Sequence, residues 1–232
     1  MQLSIVVPCY NEAKHIPLLL KRFGEIIQDN STEVVLVNNG SKDNTEEVLS
    51  QLIPSFSFAR VVKVNVNQGY GFGILSGLKE ARGEFIGWTH ADLQTDPSDL
   101  LKAKQIISQE HNSTHIYIKG RRCNRLWQDT FFTYGMTFFE WLYLREWLWD
   151  INAQPNIFHR SFFEQWSNPP HDFSLDLYAF YTAKKHNLKI IRFDVQFPPR
   201  VYGQSSWNTG LSSKFKFIKR TLDFSFKLRK AL

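Results

Sequence analysis

Glu84-Phe85-Ile86-Gly87-Trp88-Thr89-His90-Ala91-Asp92-Leu93-Gln94-Thr95-Asp96-Pro97 is the stretch from which the rest of the chain can be read. Glu84 to Thr89 is short and mostly apolar, the pattern of a buried strand. Polarity then arrives at every second position, with His90, Asp92 and Gln94. In an extended segment alternate side chains share one face. An imidazole, a carboxylate and an amide oxygen would therefore converge just past the C-terminal end of a strand, where open α/β sheets bind ligands. Such donors suit a divalent cation carrying a diphosphate. Asp96-Pro97 reads as an N-cap and a first-turn proline for the next helix. The competing reading is a polar surface loop.

Upstream, residues 3–8 read as a first strand ended by Pro8, followed by the turn Cys9-Tyr10-Asn11-Glu12. Helical periodicity runs over 13–28 through Ile16, Leu19, Leu20, Phe23, Ile26 and Ile27. Residues 33–38 are a second strand, Asn39-Gly40-Ser41 a turn, and Asp43-Asn44-Thr45 the start of a helix to about Leu52. Residues 60–66 are a third strand. Asn67 to Gly73 is a glycine-rich connection into a helix ending near Gly83. Downstream, a helix is expected over 97–109 and a strand from His115 to Lys119. The Phe/Trp/Leu-rich segment 131–149 contains Glu140, Arg145 and Glu146, which favours an interfacial or core-lining helix over a membrane span. A short strand at Gln154–Phe158, a helix at Asp172–Lys185, a strand at 189–195 and a basic, Phe-rich helix from Lys214 complete the pattern. Alternating strands and helices predict an α/β fold, a mainly parallel sheet with helices on both faces. The expected division is a domain over 1–210 and a C-terminal helical annex over 211–232.

The 232 residues suffice for one such domain, and 43% hydrophobic content permits a full core. The net charge of +6 is uneven, because residues 200–232 hold eight Lys/Arg against Asp223 alone. A basic block of this kind points to an anionic partner or to a solvated face. No nucleic-acid-binding motif accompanies it. Cys9 and Cys123 offer neither a disulfide framework nor metal-ligand spacing, which fits a reducing compartment. No signal peptide or charge-free apolar run of membrane-spanning length is present.

Gly71-Phe72-Gly73-Ile74-Leu75-Ser76 fails the dinucleotide fingerprint, whose third small residue falls on Ser76. Other motifs match in order over residues 3–208. They are Val6 to Glu12, Val35 to Thr45, Asn67 to Gly77, Ala91-Asp92-Leu93-Gln94, and Arg200-Val201-Tyr202-Gly203-Gln204-Ser205-Ser206-Trp207-Asn208. Together they resemble family 2 glycosyltransferases, and most closely the branch of dolichyl-phosphate mannose synthase and bacterial polyprenyl-phosphate sugar transferases.

The resemblance implies a GT-A type fold that binds a nucleotide-diphosphate sugar and uses Mn²⁺ or Mg²⁺. It implies that Pro8, Tyr10, Glu12, Val37 and Asn39 line the nucleoside pocket. Ala91, Asp92 and Gln94 would approach the diphosphate, with His90, Asp92 and Gln94 as metal donors. Arg200 and Ser206 would come from the late motif, and Arg121, Arg122 and Arg125, which follow the fifth strand, could also meet phosphates. Asp172 and Asp176, four apart on the expected helix, are either the base for an acceptor hydroxyl or a solvated acidic helix start.

The sequence departs from the family pattern at His90, where an acid is usual, at Asn38-Asn39 in place of two acids, and at Ser206 in place of a basic residue. Neutral imidazole can still ligate Mn²⁺, while Mg²⁺ would be held less well. The expected activity is inverting hexosyl transfer to polyprenyl phosphate or a cell-surface glycan, at the cytoplasmic face of an anionic membrane. The alternatives are a soluble saccharide acceptor, or a nucleotide-sugar-binding protein impaired in turnover. Donor sugar, base and oligomeric state carry no sequence signature.

Overall fold

The computed structural model describes residues 2–124, 127–198 and 211–231. Its centre is one seven-stranded sheet in the order β3-β2-β1-β4-β6-β5-β7. The strands are β1 (Leu3–Cys9), β2 (Thr32–Asn39), β3 (Ala59–Val64), β4 (Phe85–Trp88), β5 (Ile116–Cys123), β6 (Asn156–His159) and β7 (Lys189–Gln196). Pairing is parallel except around β6, which runs antiparallel between β4 and β5. The mainly parallel α/β sheet expected from the sequence is therefore observed, and the C-terminal ends of β1, β2, β4 and β5 lie along one edge.

The alternation of β1 sorts the core into two layers. Leu3, Ile5 and Val7 pack on one face with α1 (Ile16–Ile26), α2 (Thr45–Leu52) and α4 (Asp99–Gln109). Val6 faces the other layer, formed with α3 (Tyr70–Glu80), α6 (Arg160–Phe163) and α7 (Leu175–Lys185). Helix α3 lies close on the sheet at Gly77, where a Cβ would stand 2.4 Å from Val6 Cγ1. Only glycine permits that approach.

Several boundaries shift by a few residues, and four of these shifts bear on the site or its surroundings. Helix α4 begins at Asp99, two residues after the expected proline start. The aromatic helix α5 runs over Trp127–Leu144, ahead of the expected 131–149. Strand β5 continues to Cys123. Helix α7 starts at Leu175, so Asp172 precedes it and does not share its face with Asp176.

The basic helix α8 spans Leu211–Ala231. It packs on the body through Phe224, Ser225 and Leu228. Of its other apolar residues, Ile218 and Leu222 are half-buried and Phe226 is exposed. No helix among the described residues is long and apolar enough to cross a membrane.

Candidate active site

The site lies along the shared edge of strand ends, and backbone-to-side-chain ties fix its first wall. After β1, Asn11 takes a left-handed φ of 58°. Its N–H donates to Ser41 Oγ at 3.1 Å, and its Oδ1 accepts from Lys42 N–H at 2.8 Å. Glu12 N–H donates to Thr45 Oγ1 at 3.0 Å. The loops after β1 and β2 are thus locked together. Glu12 Oε2 meets His15 Nδ1 at 2.6 Å, and the Tyr10 ring is exposed beside them.

Asn39 ends β2 as a buried side chain. Its Nδ2 donates to Gly69 O at 3.0 Å, which fixes the amide orientation. Its Oδ1 is buried and accepts from no group among the described residues. An unpaired buried acceptor is costly unless something supplies a donor. Val37 is different: it is fully buried against α3 in the core, and its side chain is not brought to this wall. Pro8 is half-buried opposite Val37 in the β1–β2 pair.

The segment after β4 corrects the expectation of an extended polar ladder. The strand ends at Trp88, and Leu93 adopts a left-handed φ of 59°. This bend removes the simple alternation of His90, Asp92 and Gln94. Non-glycine residues in that region are costly and cluster at functional sites. Ala91 and Leu93 turn into the core, while Asp92 is 4% exposed and accepts from Gln94 N–H at 3.1 Å. Gln94 Nε2 donates to Pro198 O at 3.0 Å, which tethers this loop to the end of β7.

Among the described residues no three His, Cys, Asp or Glu side chains stand together as a metal cluster. One buried carboxylate with a nearby imidazole fits a cation that takes its remaining ligands from a diphosphate.

Beneath β4 lies a buried polar network that sequence reasoning missed except for Asp176. Asp176 Oδ1 accepts from Trp88 Nε1 at 3.1 Å, Gln154 Nε2 at 2.9 Å and Asn156 Nδ2 at 3.3 Å. Asn156 is oriented in turn by Lys119 Nζ at 2.7 Å and Tyr117 OH at 2.9 Å, both donating to its Oδ1. Lys119 also donates to Ala153 O at 2.8 Å.

Burial pushes the Asp176 carboxyl up, while the neighbouring Lys119 and His90 side chains draw it back. Burial brings the Lys119 ammonium down to about 7, against the pull of Asp176. Tyr70 closes the network above, accepting from Gln154 Nε2 at 3.3 Å and stacked on Phe173 at 4.5 Å. The one sequence signal was a lysine in an otherwise apolar strand, which reads equally well as a strand end.

Asp172 is half-exposed, accepts from Ser174 N–H at 2.8 Å and pairs with Arg220 of α8 at 3.7 Å. It is a turn and docking residue, separate from the network around Asp176. Arg121 is exposed and paired with Asp194 of β7. Arg125, Arg200 and Ser206 lie outside the described residues.

Comparison with known proteins bears on this arrangement. The family described as Glycosyl transferase family 2 matches residues 4–167. An undecaprenyl-phosphate 4-deoxy-4-formamido-L-arabinose transferase of Pseudomonas savastanoi pv. phaseolicola is 30% identical over 129 residues, covering 54% of this chain and 38% of that protein. A dolichyl-phosphate beta-glucosyltransferase of Trichomonas vaginalis is 33% identical over 128 residues, covering 52% of this chain and 40% of its own length. The matches thus span well under half of these relatives.

Among solved structures, glucosyl-3-phosphoglycerate synthase from Mycobacterium tuberculosis, in complex with Mn²⁺, uridine diphosphate and glucosyl-3-phosphoglycerate, superposes with a TM-score of 0.75 at 15% identity. The match covers 98% of this chain and 79% of that one. A mannosyltransferase from Pyrobaculum calidifontis, in complex with GDP-Man and Mn²⁺, gives 0.63 at 20% identity, covering 87% and 58%. These likenesses establish the GT-A fold.

Proposed function

The chain belongs to glycosyl transferase family 2, and from that premise we propose that it transfers a sugar from a nucleotide diphosphate to a polyprenyl phosphate. The carrying observation is the single edge at which β1, β2 and β4 end, with Tyr10, Glu12, Asn39 and Asp92 on its loops and Asp176 beneath. Tyr10 stacks on the base, and Glu12 with the unpaired Asn39 Oδ1 accepts from nucleoside N–H or O–H groups. Asp92 and His90 are the residues that would hold a divalent cation, which when bound neutralises charge on the leaving diphosphate. Arg200, Arg125 and Ser206 are proposed from the late-motif and strand-end resemblance to complete the phosphate contacts.

The acceptor oxygen forms its bond to the anomeric carbon as the bond to the diphosphate oxygen breaks. The diphosphate departs with the electron pair, and the anomeric centre inverts. A phosphate acceptor is already ionised and needs no base. A saccharide hydroxyl would instead give its proton to Asp176, whose carboxyl is held by three N–H donors on one oxygen. The undecaprenyl-phosphate and dolichyl-phosphate transferases among the relatives favour the first acceptor. The working position that follows is peripheral, at the cytoplasmic face of a membrane.

The test is nucleotide diphosphate release from a panel of nucleotide sugars with Mn²⁺, with and without polyprenyl phosphate. Release that requires the lipid phosphate is the expected result. Release driven only by a soluble glycan moves the acceptor class. Donor binding without any release supports the impaired-binding reading that His90 and Asn38-Asn39 motivate.

A further inference from the structure

Helix α5 carries the largest apolar exposure among the described residues, and of its four exposed large apolar side chains only Tyr134 meets a ring outside the helix, that of Trp149 at 4.4 Å. Tyr134, Phe138, Trp141 and Leu142 are 56%, 55%, 47% and 58% exposed. Their spacing of four, three and one places them along one face of the helix. The buried side is a different one, made by Thr137, Glu140 and Leu144. Between Thr130 and Leu144 the only charged residue is Glu140, which is fully buried. The exposed face therefore carries no charge at all. Contiguous aromatic exposure on this scale marks an interaction surface.

Two observations say what covers it. The stripe borders α8, because Phe139 and Tyr143 of α5 meet Phe226 at ring distances of 6.3 and 4.8 Å. Around Phe226 the exposed residues of α8 are Lys219, Lys227, Arg229 and Lys230 against the single acid Asp223, a net-basic face. An uncharged aromatic face thus adjoins a lysine face in one continuous surface. That pairing suits a bilayer, whose interface takes aromatic rings and whose anionic headgroups take ammonium groups. A second protein copy would have to bury the lysines against its own.

The second observation is position. Strand β5 is parallel to β7, and both end on the same edge of the sheet as β4. Helix α5 follows the end of β5 directly, so its N-terminal end stands at the rim of the candidate active site.

The geometry points to the α5 stripe, flanked by the α8 lysines, as the surface that seats this protein on an anionic lipid bilayer. The inference deepens the proposed reading, on which it rests for the lipid acceptor. Seating on α5 turns the strand-end edge toward the headgroups, where a lipid-borne phosphate meets the site without leaving the membrane.

The test uses the full chain and vesicles of phosphatidylcholine with or without phosphatidylglycerol. Co-sedimentation is measured at low and high salt for the wild type, for Phe138→Ser/Trp141→Ser/Leu142→Ser, and for Lys219→Gln/Lys227→Gln/Lys230→Gln. The stripe variant is expected to bind about tenfold or more weakly at every salt concentration. The lysine variant is expected to lose the preference for phosphatidylglycerol and the salt dependence. Thermal unfolding and nucleotide diphosphate binding should be unchanged in both, which separates lost docking from lost folding.

Undiminished vesicle binding by the stripe variant overturns the inference. So does a wild-type dimer that the stripe variant converts to monomer while neither binds vesicles. Turnover with a short-chain, water-soluble prenyl phosphate separates the two proposals. If it persists without vesicle binding, the docking surface fails alone; vesicle binding without turnover leaves docking standing and removes the transferase reading.

Discussion

Lys119 is a cation held where water is excluded. It is completely buried, and its ammonium is brought down to about 7 by loss of water. Between that value and the ordinary 10.5 the unfolded chain holds a proton that the folded chain has released. Stability therefore rises with pH across this window, and the burial cost is fully present below it. In Lys119→Met that rise should vanish, as measured by urea midpoints at several pH values from 7 to 10. The same variant removes one of the two donors that orient Asn156, and through it a donor to Asp176. We expect turnover to fall about tenfold to a hundredfold while donor affinity holds, because displacement of a positioned group costs rate. Gly73 offers a second check. A Cβ there would stand 2.8 Å from Asn39 Nδ2. Gly73→Ala should displace Asn39 and weaken nucleotide diphosphate binding by about tenfold in calorimetry, roughly the worth of one hydrogen bond.

At the scale of elements, the α5–α8 contact holds a carboxyl that the sequence reading used only as an argument against a membrane span. Glu140 is fully buried, with Ser225 Oγ donating to it at 2.8 Å, and burial pushes its carboxyl up to about 7. Its pKa is raised on folding, so its contribution is fully present below the ordinary 4.5 and is lost as pH rises through about 7. Glu140→Gln should flatten the fall in thermal midpoint between those values, with a gain on the order of 1 kcal/mol above pH 7. All seven strands were legible, because short apolar runs bounded by turn residues carry their own signal. The antiparallel insertion of β6 was not, since pairing partners are chosen by long-range packing that periodicity does not encode. The facing of α8 was not legible either. Phe224 and Leu228 pack on the body while Phe226 is exposed, and periodicity alone does not say which apolar residues of the helix the body takes. At the candidate site, Asn39 and Glu12 were singled out by motif resemblance, and Asp92 by resemblance together with the polar alternation after β4. Lys119, Gln154, Asn156 and Trp88 were invisible, because no local pattern announces a polar network assembled from β4, β5, α7 and the loop before β6.

For the whole molecule, donor and cation should act on stability together, because any ligand held only by the folded state raises its unfolding free energy. The loops after β1, β2 and β4 come from separate parts of the chain, so the site exists only when the sheet is assembled. With one buried carboxylate, Asp92, and the neighbouring His90 as protein donors, a cation alone should bind weakly and shift the thermal midpoint little. Added with a nucleoside diphosphate at about a hundred times its dissociation constant, it should contribute about 2.7 kcal/mol. In a chain of this size that corresponds to a rise of roughly 5–10 °C. Mn²⁺ should support the larger shift and Mg²⁺ the smaller, since imidazole suits the former and Mg²⁺ prefers oxygen. Asp92→Ala should abolish the difference between nucleotide alone and nucleotide with metal, leaving the nucleotide contribution of Tyr10, Glu12 and Asn39 in place. Scanning calorimetry on the four combinations, wild type and variant with and without Mn²⁺, reads this directly. An equal shift by the nucleotide with and without Mn²⁺ in the wild type would remove the cation from the site.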